Sequence, residues 1–325
     1  MKISAVIHTY NRRDLLAETL DAVFSQTRPL DEVLVVDDGS TDGTSNFIRD
    51  RYGDRIRLIN RENGGCEAAR EHGVREASGD WVALCDSDDI WRENHIQRLC
   101  ELHQAYPEAD LLFTNFEEFG PAAVRANKFE SAGAEYWQKV SEERGDFINF
   151  GHGRLDMVLE WNPVFTSACM FRSSAYKALG GINLAFNGVL ASDADLTRRF
   201  AIAGSLAADK SISVGIRKTG GNMSANSAAV DLGRIQILQQ NIEDGGLFAP
   251  FEGQLKAAIS NTAERVMQGA FSHRDMKSFR AAAGYVPSER LSASLKIKKA
   301  IASLPGFIRG LIFGIYRLFS RESAR

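Results

Sequence analysis

Short apolar runs rich in β-branched residues alternate with helical patterns through the first 114 residues of the chain. The spacing predicts strands at 3–8, 32–36, 56–59, 81–84 and 111–114, and helices at 12–26, 41–52, 66–77 and 92–106. Alternation at these lengths is typical of an α/β fold with a mostly parallel sheet and helices on both faces. Ligands of such sheets bind beyond the carboxyl ends of the strands, so the polar residues after each strand are the first candidates for a functional site.

Adjacent carboxylates follow the second predicted strand. Asp37 and Asp38 come directly after a buried-type run, and the segment 39–42 then supplies a glycine turn and side chains that can cap the next helix. Capping accounts for Ser40 and Asp42 but not for the acid pair before them. Two neighbouring acids repel each other unless a cation, a base N–H or a ribose hydroxyl lies between them. The pair therefore predicts a ligand contact.

A larger acidic group follows the fourth predicted strand. Asp86, Asp88 and Asp89 lie within four residues, around Ser87. Such a segment can be a surface loop that only caps the helix at 92–106, but the acid pair at the same edge of the sheet favours a site. Mg²⁺ or Mn²⁺ is commonly held by one or two carboxylates together with substrate phosphates. The group therefore predicts a divalent cation beside a phosphorylated ligand.

Two further candidates are ambiguous from their local sequence. Asp193 and Asp195 open a predicted helix at 193–203, where carboxylates are also expected simply because they stabilise a helix N-terminus. Arg70 lies in the helix that follows the turn at 63–65, near both acidic segments. The four cysteines have no CxxC spacing and the six histidines no metal-ligand spacing. We therefore expect buried reduced thiols and no zinc site.

The remainder of the chain divides by pattern. Residues 117–163 lose their periodicity and mix aromatic residues with glycine and charge, which predicts an insertion or a mobile loop region. Order returns with strands near 164–171 and 212–216 and helices at 173–179 and 193–203, and the pattern is helical after residue 226. We expect a first domain at 1–225, a helical region at 226–303 and a tail at 304–325.

The C-terminal tail concentrates positive charge. The net charge of −3 gives no support to nucleic-acid binding, yet residues 291–325 hold seven Lys or Arg against one acid, Glu322. Along 304–319 most apolar residues fall on one broad arc of a helix, with Arg309, Arg317 and three glycines opposite. This pattern predicts an amphipathic helix on an anionic membrane surface. The alternative is a C-terminal helix docked on the body, since the glycines would suit close packing.

The sequence shows no targeting signal, which predicts a cytoplasmic protein. The N-terminal apolar stretch is short and is interrupted by Asn11, Arg12 and Arg13, so no signal peptide is visible. No run of about 20 uncharged apolar residues is present either. We expect a cytoplasmic protein attached peripherally to the inner face of the cytoplasmic membrane.

Four motifs, in order along the chain, resemble those of the family 2 glycosyltransferases with the GT-A fold. They are His8-Thr9-Tyr10-Asn11-Arg12, Val36-Asp37-Asp38-Gly39-Ser40-Thr41-Asp42, Asn63-Gly64-Gly65 with Arg70, and Asp86-Ser87-Asp88-Asp89. The resemblance covers about residues 2–225 and is looser after Gly180. It implies a Rossmann-like sheet of the GT-A type, with 117–163 as a variable insertion on the acceptor side.

The resemblance also implies a nucleotide pocket. Thr9, Tyr10, Asn11 and Arg12 would line this pocket, and Arg70 would help to hold the nucleotide.

Four polar residues at the strand ends would complete the donor site. Asp37 or Asp38 would accept a hydrogen bond from the base. Asp86 would lie near the ribose, with Ser87 beside it in a segment similar to the Asp-x-Asp motif of the family.

The same resemblance implies a metal and a base. Mn²⁺ or Mg²⁺ would be bound by Asp88 in the first place and by Asp89 in the second. Asp193 matches the catalytic base, which in this family usually follows a glutamate, whereas here Ser192 precedes it. Where many relatives have Arg-x-His, this chain has Arg217-Lys218-Thr219, so the role of that histidine is absent and Lys218 would face the diphosphate instead.

The implied reaction is transfer of a sugar from a nucleotide-diphosphate sugar, with a UDP-sugar favoured, to a hydroxyl of a saccharide or lipid-linked acceptor in bacterial surface polysaccharide synthesis. A bound cation can neutralise the leaving diphosphate, and a carboxylate can take the proton of the acceptor hydroxyl. One cation site and one base suit a single in-line displacement, which predicts an inverting enzyme.

Other functions have weaker support in the sequence. One alternative is a non-catalytic protein of the same fold that binds a nucleotide sugar or scaffolds an assembly. A sugar-1-phosphate nucleotidyltransferase would require a glycine-rich loop after the first strand, and a phosphatase with an aspartyl nucleophile would require a carboxylate there. Residues 8–13 contain neither glycine nor an acid.

Overall fold

The computed structural model describes residues 1–220 and 226–312. The chain divides into two compact units, Met1–Ala225 and Asn226–Arg325. In the described part of the first unit the strands are β1 (Ile3–Thr9), β2 (Glu32–Asp37), β3 (Arg57–Asn60), β4 (Trp81–Asp86), β5 (Ile90–Trp91), β6 (Leu111–Phe119), β7 (Glu142–Arg144), β8 (Phe147–His152), β9 (Cys169–Arg172) and β10 (Ser205–Arg217). The helices are α1 (Arg13–Phe24), α2 (Thr44–Tyr52), α3 (Cys66–Glu76), α4 (His95–Ala105), α5 (Ala134–Trp137), α6 (Leu155–Glu160), α7 (Ser173–Ala178) and α8 (Asp193–Ala203).

The strands of the first unit form one mixed sheet. Their order is β3-β2-β1-β4-β9-β6-β10-β8-β7, and the short β5 pairs with β10. The pairs among β3, β2, β1 and β4 are parallel, as is the pair of β6 and β10, whereas the pairs that involve β5, β7, β8 and β9 are antiparallel. The α/β fold predicted from the sequence is confirmed.

Helices cover both faces of the sheet. Successive side chains of a strand point to opposite faces, and accordingly Ile7 and Val35 belong to one buried cluster while Val6 and Leu34 belong to another. Helices α1, α2 and α4 contribute to the first cluster, and α3, α6 and α8 to the second. Burial on both faces explains why these strands read as continuous apolar runs.

The parallel register aligns three strand ends. Thr9 of β1 pairs with Asp37 of β2, and His8 of β1 pairs with Asp86 of β4. Both aspartates are the last residues of their strands. The polar segments that follow β1, β2 and β4 therefore leave the sheet at a common edge.

The segment 117–163 contains more regular structure than its sequence indicates. Strands β7 and β8 extend the sheet beyond β10, and Phe150 of β8 is fully buried against Phe113 at a ring distance of 5.6 Å. Its periodicity is weak because β7 is a three-residue edge strand with every side chain exposed. The sequence predicted an insertion or mobile loop where the structure has the two strands β7 and β8 and the two short helices α5 and α6.

Strand β10 is also longer than the sequence indicates. The predicted strand at 212–216 is the second part of a strand that begins at Ser205. The pairing of β10 with β6 shifts register between Asp209 and Ile212. This bulge brings polar residues into the strand and interrupts its apolar pattern. The part of the strand before the bulge was therefore not predicted from the sequence.

The second unit is helical in its described part. It contains α9 (Ser227–Asp244), α10 (Glu252–Ser272), α11 (Met276–Ala283) and α12 (Ala293–Ser303), and residues 306–312 are again helical. Among the described helices none combines the length and hydropathy needed to cross a membrane. The larger part of the predicted amphipathic tail, from Phe313 onward, lies outside the described residues. So do residues 221–225, where the looser part of the resemblance ends.

Candidate functional site

The end of β1 contributes a buried hydroxyl and an open turn. Thr9 is fully buried, and its hydroxyl has no hydrogen-bond partner within residues 1–220 and 226–312. Asn11 has a positive φ of 50° and connects two loops: its amide donates to the Ser40 hydroxyl, and its side-chain oxygen accepts from the Thr41 amide, both at 2.8 Å. Tyr10 is 47% exposed. Asn11 therefore holds the turn in place while Tyr10 remains open to a ligand.

Asp37 and Asp38 are turned into the protein. Asp37 accepts hydrogen bonds from the Ser40 amide at 2.9 Å and from the Ser45 hydroxyl. Both residues are at most 3% exposed. Their carboxylates therefore order the loops beyond β2. A hydrogen bond from a nucleotide base to either residue stays a prediction, and the geometry gives these oxygens protein donors instead.

The loop before α3 depends on Asp38. Its two oxygens accept from the amides of Gly64 and Gly65 at 3.0 and 2.8 Å, and Arg61 Nε lies 3.0 Å away. Gly65 has a φ of 92°, in the left-handed region that favours glycine. The motif at 63–65 thus presents the amides of its two glycines to the acid that follows β2, and it leads directly into α3.

A buried arginine joins the ends of α3 and β4. Arg70 donates to Asp86 Oδ1 at 2.7 Å and to Glu67 Oε1 at 2.8 Å. Its Nε is buried and has no partner in the described part of the chain. Burial raises the pKa of Asp86, but Arg70 and His8 outweigh that effect, so the pKa lies below its usual value. Asp86 is therefore held as a carboxylate beside a fixed cation.

His8 and Cys66 pack together beside this pair. Cys66 Sγ lies 3.1 Å from His8 Nε2, and His8 Nδ1 lies 3.8 Å from Asp86 Oδ1. Burial, and next to it Arg70, lowers the pKa of His8 to about 4, while burial raises the pKa of Cys66 to about 12. The imidazole is therefore neutral and the thiol protonated at neutral pH, which argues against a thiolate nucleophile here.

Because buried His8 is neutral, the free energy of unfolding depends on pH. An unfolded chain binds a proton at this histidine below about pH 6.5, whereas the folded chain does so only near pH 4. The free energy of unfolding should therefore fall as the pH drops from 6.5 to 4. Denaturant unfolding at pH 7 and pH 4.5 measures the difference. His8→Gln should reduce this difference. Buried His95, whose pKa is lowered to about 3, should supply part of what remains.

The matched control for this experiment is His152→Gln. His152 is exposed at the end of β8, so its replacement should leave the difference between pH 7 and pH 4.5 unchanged. An equal effect of both substitutions would contradict the assignment to His8.

The segment after β4 separates two acids that look equivalent in the sequence. Asp89 is 2% exposed, and its two oxygens accept from the Ser167 hydroxyl and from the Arg217 amide, the latter at 2.9 Å. Asp88 keeps a side chain that is 17% exposed, with its Oδ2 3.9 Å from Arg12. Burial and the nearby Asp86 raise the pKa of Asp88. Asp88 is thus the acid of this pair that is available to a ligand.

Helix α8 separates a second pair of acids. Asp195 is buried and forms an ion pair with Arg199 at 2.9 Å, one turn along the helix. Asp193 is only half-buried, and its Oδ2 lies 3.5 Å from the Thr166 hydroxyl. It borders a cavity of about 30 Å³ that is also lined by Glu67 and Arg70, which is room for about one water molecule. Asp195 is structural, and Asp193 faces the site.

The sequence of the first unit matches a known protein family. Residues 4–175, more than half of the chain, match the family described as Glycosyl transferase family 2. The chain belongs to this family. The resemblance seen in the four sequence motifs is therefore confirmed.

Relatives of this family 2 glycosyltransferase include bacterial proteins and solved structures. This chain is 34% identical over 102 residues to the putative teichuronic acid biosynthesis glycosyltransferase TuaG of Bacillus subtilis. The matched residues cover 30% of this chain and 40% of that protein. The chain spans between about a fifth and two-fifths of the length of the first curated relatives that it matches.

Two solved structures share the fold of this glycosyltransferase. Staphylococcus aureus TarS 1–349 in complex with UDP-GlcNAc matches with a TM-score of 0.61 at 18% identity, covering 88% of this chain and 82% of that one. The mannosyltransferase PcManGT of Pyrobaculum calidifontis, in complex with GDP-Man and Mn²⁺, matches with a TM-score of 0.54 at 18% identity, covering 99% and 83%. The fold is therefore of the GT-A type.

The donor set of the family 2 glycosyltransferase suits a hard cation that is shared with a substrate. Within residues 1–220 and 226–312 no three His, Cys, Asp or Glu side chains are grouped to hold a metal on their own. Mg²⁺ and Mn²⁺ commonly take only one or two carboxylates and complete their coordination with phosphate oxygens and water. Burial and the neighbouring Asp86 make the negative charge of Asp88 unfavourable, and a bound cation would offset this repulsion. The residues present fit such a metal.

Several residues of the site were not found from the sequence. Ser167 accepts from the Asp86 amide at 3.0 Å and donates to Asp89, and Glu67 contacts both Arg70 and Ser192. Neither Ser167 nor Glu67 was singled out in a motif. Apart from Arg70, their partners lie between 78 and 125 residues away along the chain. Lys218, which was expected to face a diphosphate, lies with its Nζ 5.8 Å from the Phe165 ring and contributes to lowering the pKa of Asp86.

Proposed function

We propose that this protein is an inverting, metal-dependent glycosyltransferase that moves a sugar from a nucleotide-diphosphate sugar to a hydroxyl of a saccharide or lipid-linked acceptor. One observation carries the proposal: Arg70 bonds to Asp86, which begins the acidic segment after β4, and borders the same cavity as Asp193. A donor-binding acid segment and a candidate base therefore meet around one buried cation.

The donor side is formed by the ends of β1 and β4. Exposed Tyr10 and the buried Thr9 hydroxyl provide an open aromatic face and an unsatisfied polar group for the nucleotide. Arg12 lies beside Asp88 and can contact phosphate oxygens. We assign the ribose to Asp86, next to buried Ser87, and the metal to Asp88. Asp89 is not assigned to the metal because both of its oxygens already accept hydrogen bonds from the protein.

The chemistry needs a better leaving group and a better nucleophile. When bound, the divalent cation neutralises charge that develops on the departing nucleotide diphosphate. Asp193 accepts the proton of the acceptor hydroxyl as the oxygen attacks the anomeric carbon. Arg70 and Lys218 add fixed positive charge around Asp86, which supports the binding of a phosphorylated donor. In the described part of the chain this site combines one candidate base with one donor-binding segment, which supports a single displacement with inversion.

Relatives support the choice of donor and process. TarS is described in complex with UDP-GlcNAc, and PcManGT with GDP-Man and Mn²⁺. The putative role of TuaG in teichuronic acid biosynthesis supports bacterial surface polysaccharide synthesis. We favour a UDP-sugar as the donor.

The test is a screen of nucleotide sugars for release of the nucleotide diphosphate, with Mn²⁺, with Mg²⁺ and with EDTA. We expect turnover of at least one donor that stops in EDTA. The anomer of the product from an α-linked donor then tests the mechanism, since retention would contradict a single displacement. Donor binding without turnover would instead support the alternative of a nucleotide-sugar-binding or scaffolding protein.

We further propose that residues 1–225 form the catalytic domain, that residues 226–303 form a helical extension, and that the tail at 304–325 attaches the protein to the inner face of the cytoplasmic membrane. Support comes from exposed apolar side chains near the tail: Ile297, Phe307 and Leu311 are 62%, 73% and 65% exposed. Lys296 is exposed next to Ile297. Apolar and basic side chains together are typical of attachment to anionic lipid.

Not every basic residue of this region is available to lipid. Arg309 donates from NH1 to the carbonyls of Ala302 and Leu304, both at 2.9 Å, and so caps the end of α12. Lys298 Nζ lies 5.5 Å from the Phe271 ring. The apolar side chains are therefore a sharper target for substitution than the charges.

Replacing Phe307 and Leu311 together with serine should lower binding to vesicles of anionic phospholipid by at least about tenfold, measured by cosedimentation. Deletion of residues 304–325 should do the same or more, and binding should weaken as salt is raised. Leu247→Ser is the matched control, because Leu247 is 39% exposed in the same unit but lies outside the tail. Unchanged sedimentation of the deletion variant would contradict attachment through the tail.

A further inference from the structure

Glu67 is a buried acid that no sequence motif singled out. It lies in the first turn of α3, is 5% exposed, and borders the cavity that Asp193 also lines. We propose that Glu67 is a positioning residue for the catalytic base, holding the start of α8 against α3. This inference rests on the proposed function, because it assigns the role of base to Asp193.

One oxygen of Glu67 connects two elements of the site. Glu67 Oε1 accepts from Arg70 NH1 at 2.8 Å and from the Ser192 hydroxyl at 2.8 Å. Arg70 in turn donates to Asp86 at 2.7 Å. The chain of contacts therefore runs from the donor-binding segment after β4, through Arg70 and Glu67, to the residue immediately before Asp193.

The Ser192 hydroxyl contacts Glu67 instead of capping its own helix. A serine at the N-cap of a helix normally accepts a hydrogen bond from an amide of the first turn. Ser192 occupies the N-cap position of α8, yet its side chain caps no amide of the helix. Its hydroxyl instead donates to Glu67 across 125 residues of sequence. A local stabilising contact has been replaced by one that locates the helix start.

Asp193 has few other contacts that locate its side chain. Its Oδ1 accepts from the amide of the next residue, Ala194, at 3.0 Å, and its Oδ2 lies 3.5 Å from the Thr166 hydroxyl, at the limit for a hydrogen bond. A base acts only when it lies within hydrogen-bond reach of the proton that it takes. A misplacement of about 1 Å can reduce a rate by about a hundredfold. The contact between Glu67 and Ser192 therefore matters for the rate.

The negative charge of Glu67 is unfavourable in this site. Burial raises the pKa of Glu67, and Arg70 opposes this rise without reversing it. The nearby acids Asp193 and Asp86 raise the pKa further. Glu67 acts through its hydrogen bonds, so glutamine, which keeps an acceptor oxygen of the same reach, should preserve its role.

The experiment is a double-substitution cycle on the full chain. Glu67→Ala and Ser192→Ala should each lower kcat for donor turnover by about 10- to 100-fold. The donor KM should change by less than about threefold, because the base moves while Arg70 keeps its hydrogen bond to Asp86 on the donor side. The double variant should be no slower than the slower single variant, since both substitutions break one contact. Glu67→Gln should keep kcat within about threefold of the unchanged protein.

The matched control is Glu71→Gln. Glu71 lies one turn further along α3, is equally buried, and accepts hydrogen bonds from Tyr176 and from the Ile182 amide. Its substitution should lower thermal stability and leave kcat unchanged. Unchanged kcat in Glu67→Ala, additive losses in the double variant, or a change in donor KM alone would overturn the proposal.

A second measurement separates this inference from the proposed function. Amide hydrogen exchange over residues 191–195 should be faster in Glu67→Ala and in Ser192→Ala than in the unchanged protein, and restored in Glu67→Gln. If the unchanged protein turns over no donor, the proposed function fails, while this readout still tests the contact. Equal exchange in all variants would overturn the positioning role whatever the activity.

Discussion

Replacing Asp193 with asparagine is expected to lower kcat for donor turnover by about a thousandfold, with little change in the donor KM. Asparagine keeps the size of the side chain and its contacts with Thr166 and the Ala194 amide, but it cannot take a proton. A positioned general base commonly contributes between about a hundredfold and ten-thousandfold. The measurement is steady-state release of the nucleotide diphosphate from the donor identified in the screen.

The control for Asp193 is an acid in the same position of a different helix. Glu252 lies in the first turn of α10 and is paired with Lys256 at the surface. Glu252→Gln removes a first-turn carboxylate and should leave kcat unchanged. If Asp193→Asn kept most of its kcat, the proton of the acceptor would have to go to another group, and the mechanism proposed here would be wrong.

Replacing Asp88 with asparagine is expected to have an effect of similar size, but on a different parameter. Because Asp88 would hold the metal that neutralises the leaving diphosphate, kcat/KM for the donor should fall by at least about a hundredfold, in line with the several kcal/mol that a Lewis acid supplies to a leaving group. The residual activity should respond little to Mn²⁺ or EDTA. Titration of Mn²⁺ at saturating donor measures this response directly.

Asp89 provides the comparison for Asp88. Its oxygens accept from Ser167 and from the Arg217 amide, and burial raises its pKa well above the usual value. Asp89→Asn should therefore lower the melting temperature more than it alters the response to Mn²⁺. If the metal response were lost in Asp89→Asn and kept in Asp88→Asn, the assignment of the two acids would be reversed.

The family and most of its elements could be predicted from the sequence. Strands and helices of the first 114 residues were placed within about three residues of their observed ends, because local periodicity reports burial of one or both faces. The exceptions are the short β5, which was not predicted, and β6, which continues to Phe119. The segment 117–163 was predicted less well. Strand β7 is short and exposed, and β8 is only partly buried, so neither produces a pattern that distinguishes it from a loop.

The candidate site was predicted in part. The polar residues beyond β1, β2 and β4 do lie at one edge, as the alternation of strands and helices implies. Asp37 and Asp38 fit the same motif but have protein donors on their oxygens. Motifs record which residue types occur together and do not record the direction in which each side chain turns.

The alternation of strands and helices, the acidic segments and the basic tail followed from the chain alone, since each depends on residues close together in sequence. The tertiary structure was needed to distinguish Asp88 from Asp89 and Asp193 from Asp195, because burial and partners, not residue type, separate the members of each pair. It was also needed to find Glu67, whose contact with Ser192 joins residues 125 positions apart. Contacts of that kind exist only once distant helices have packed against the same sheet, and they determine which carboxylates meet a ligand.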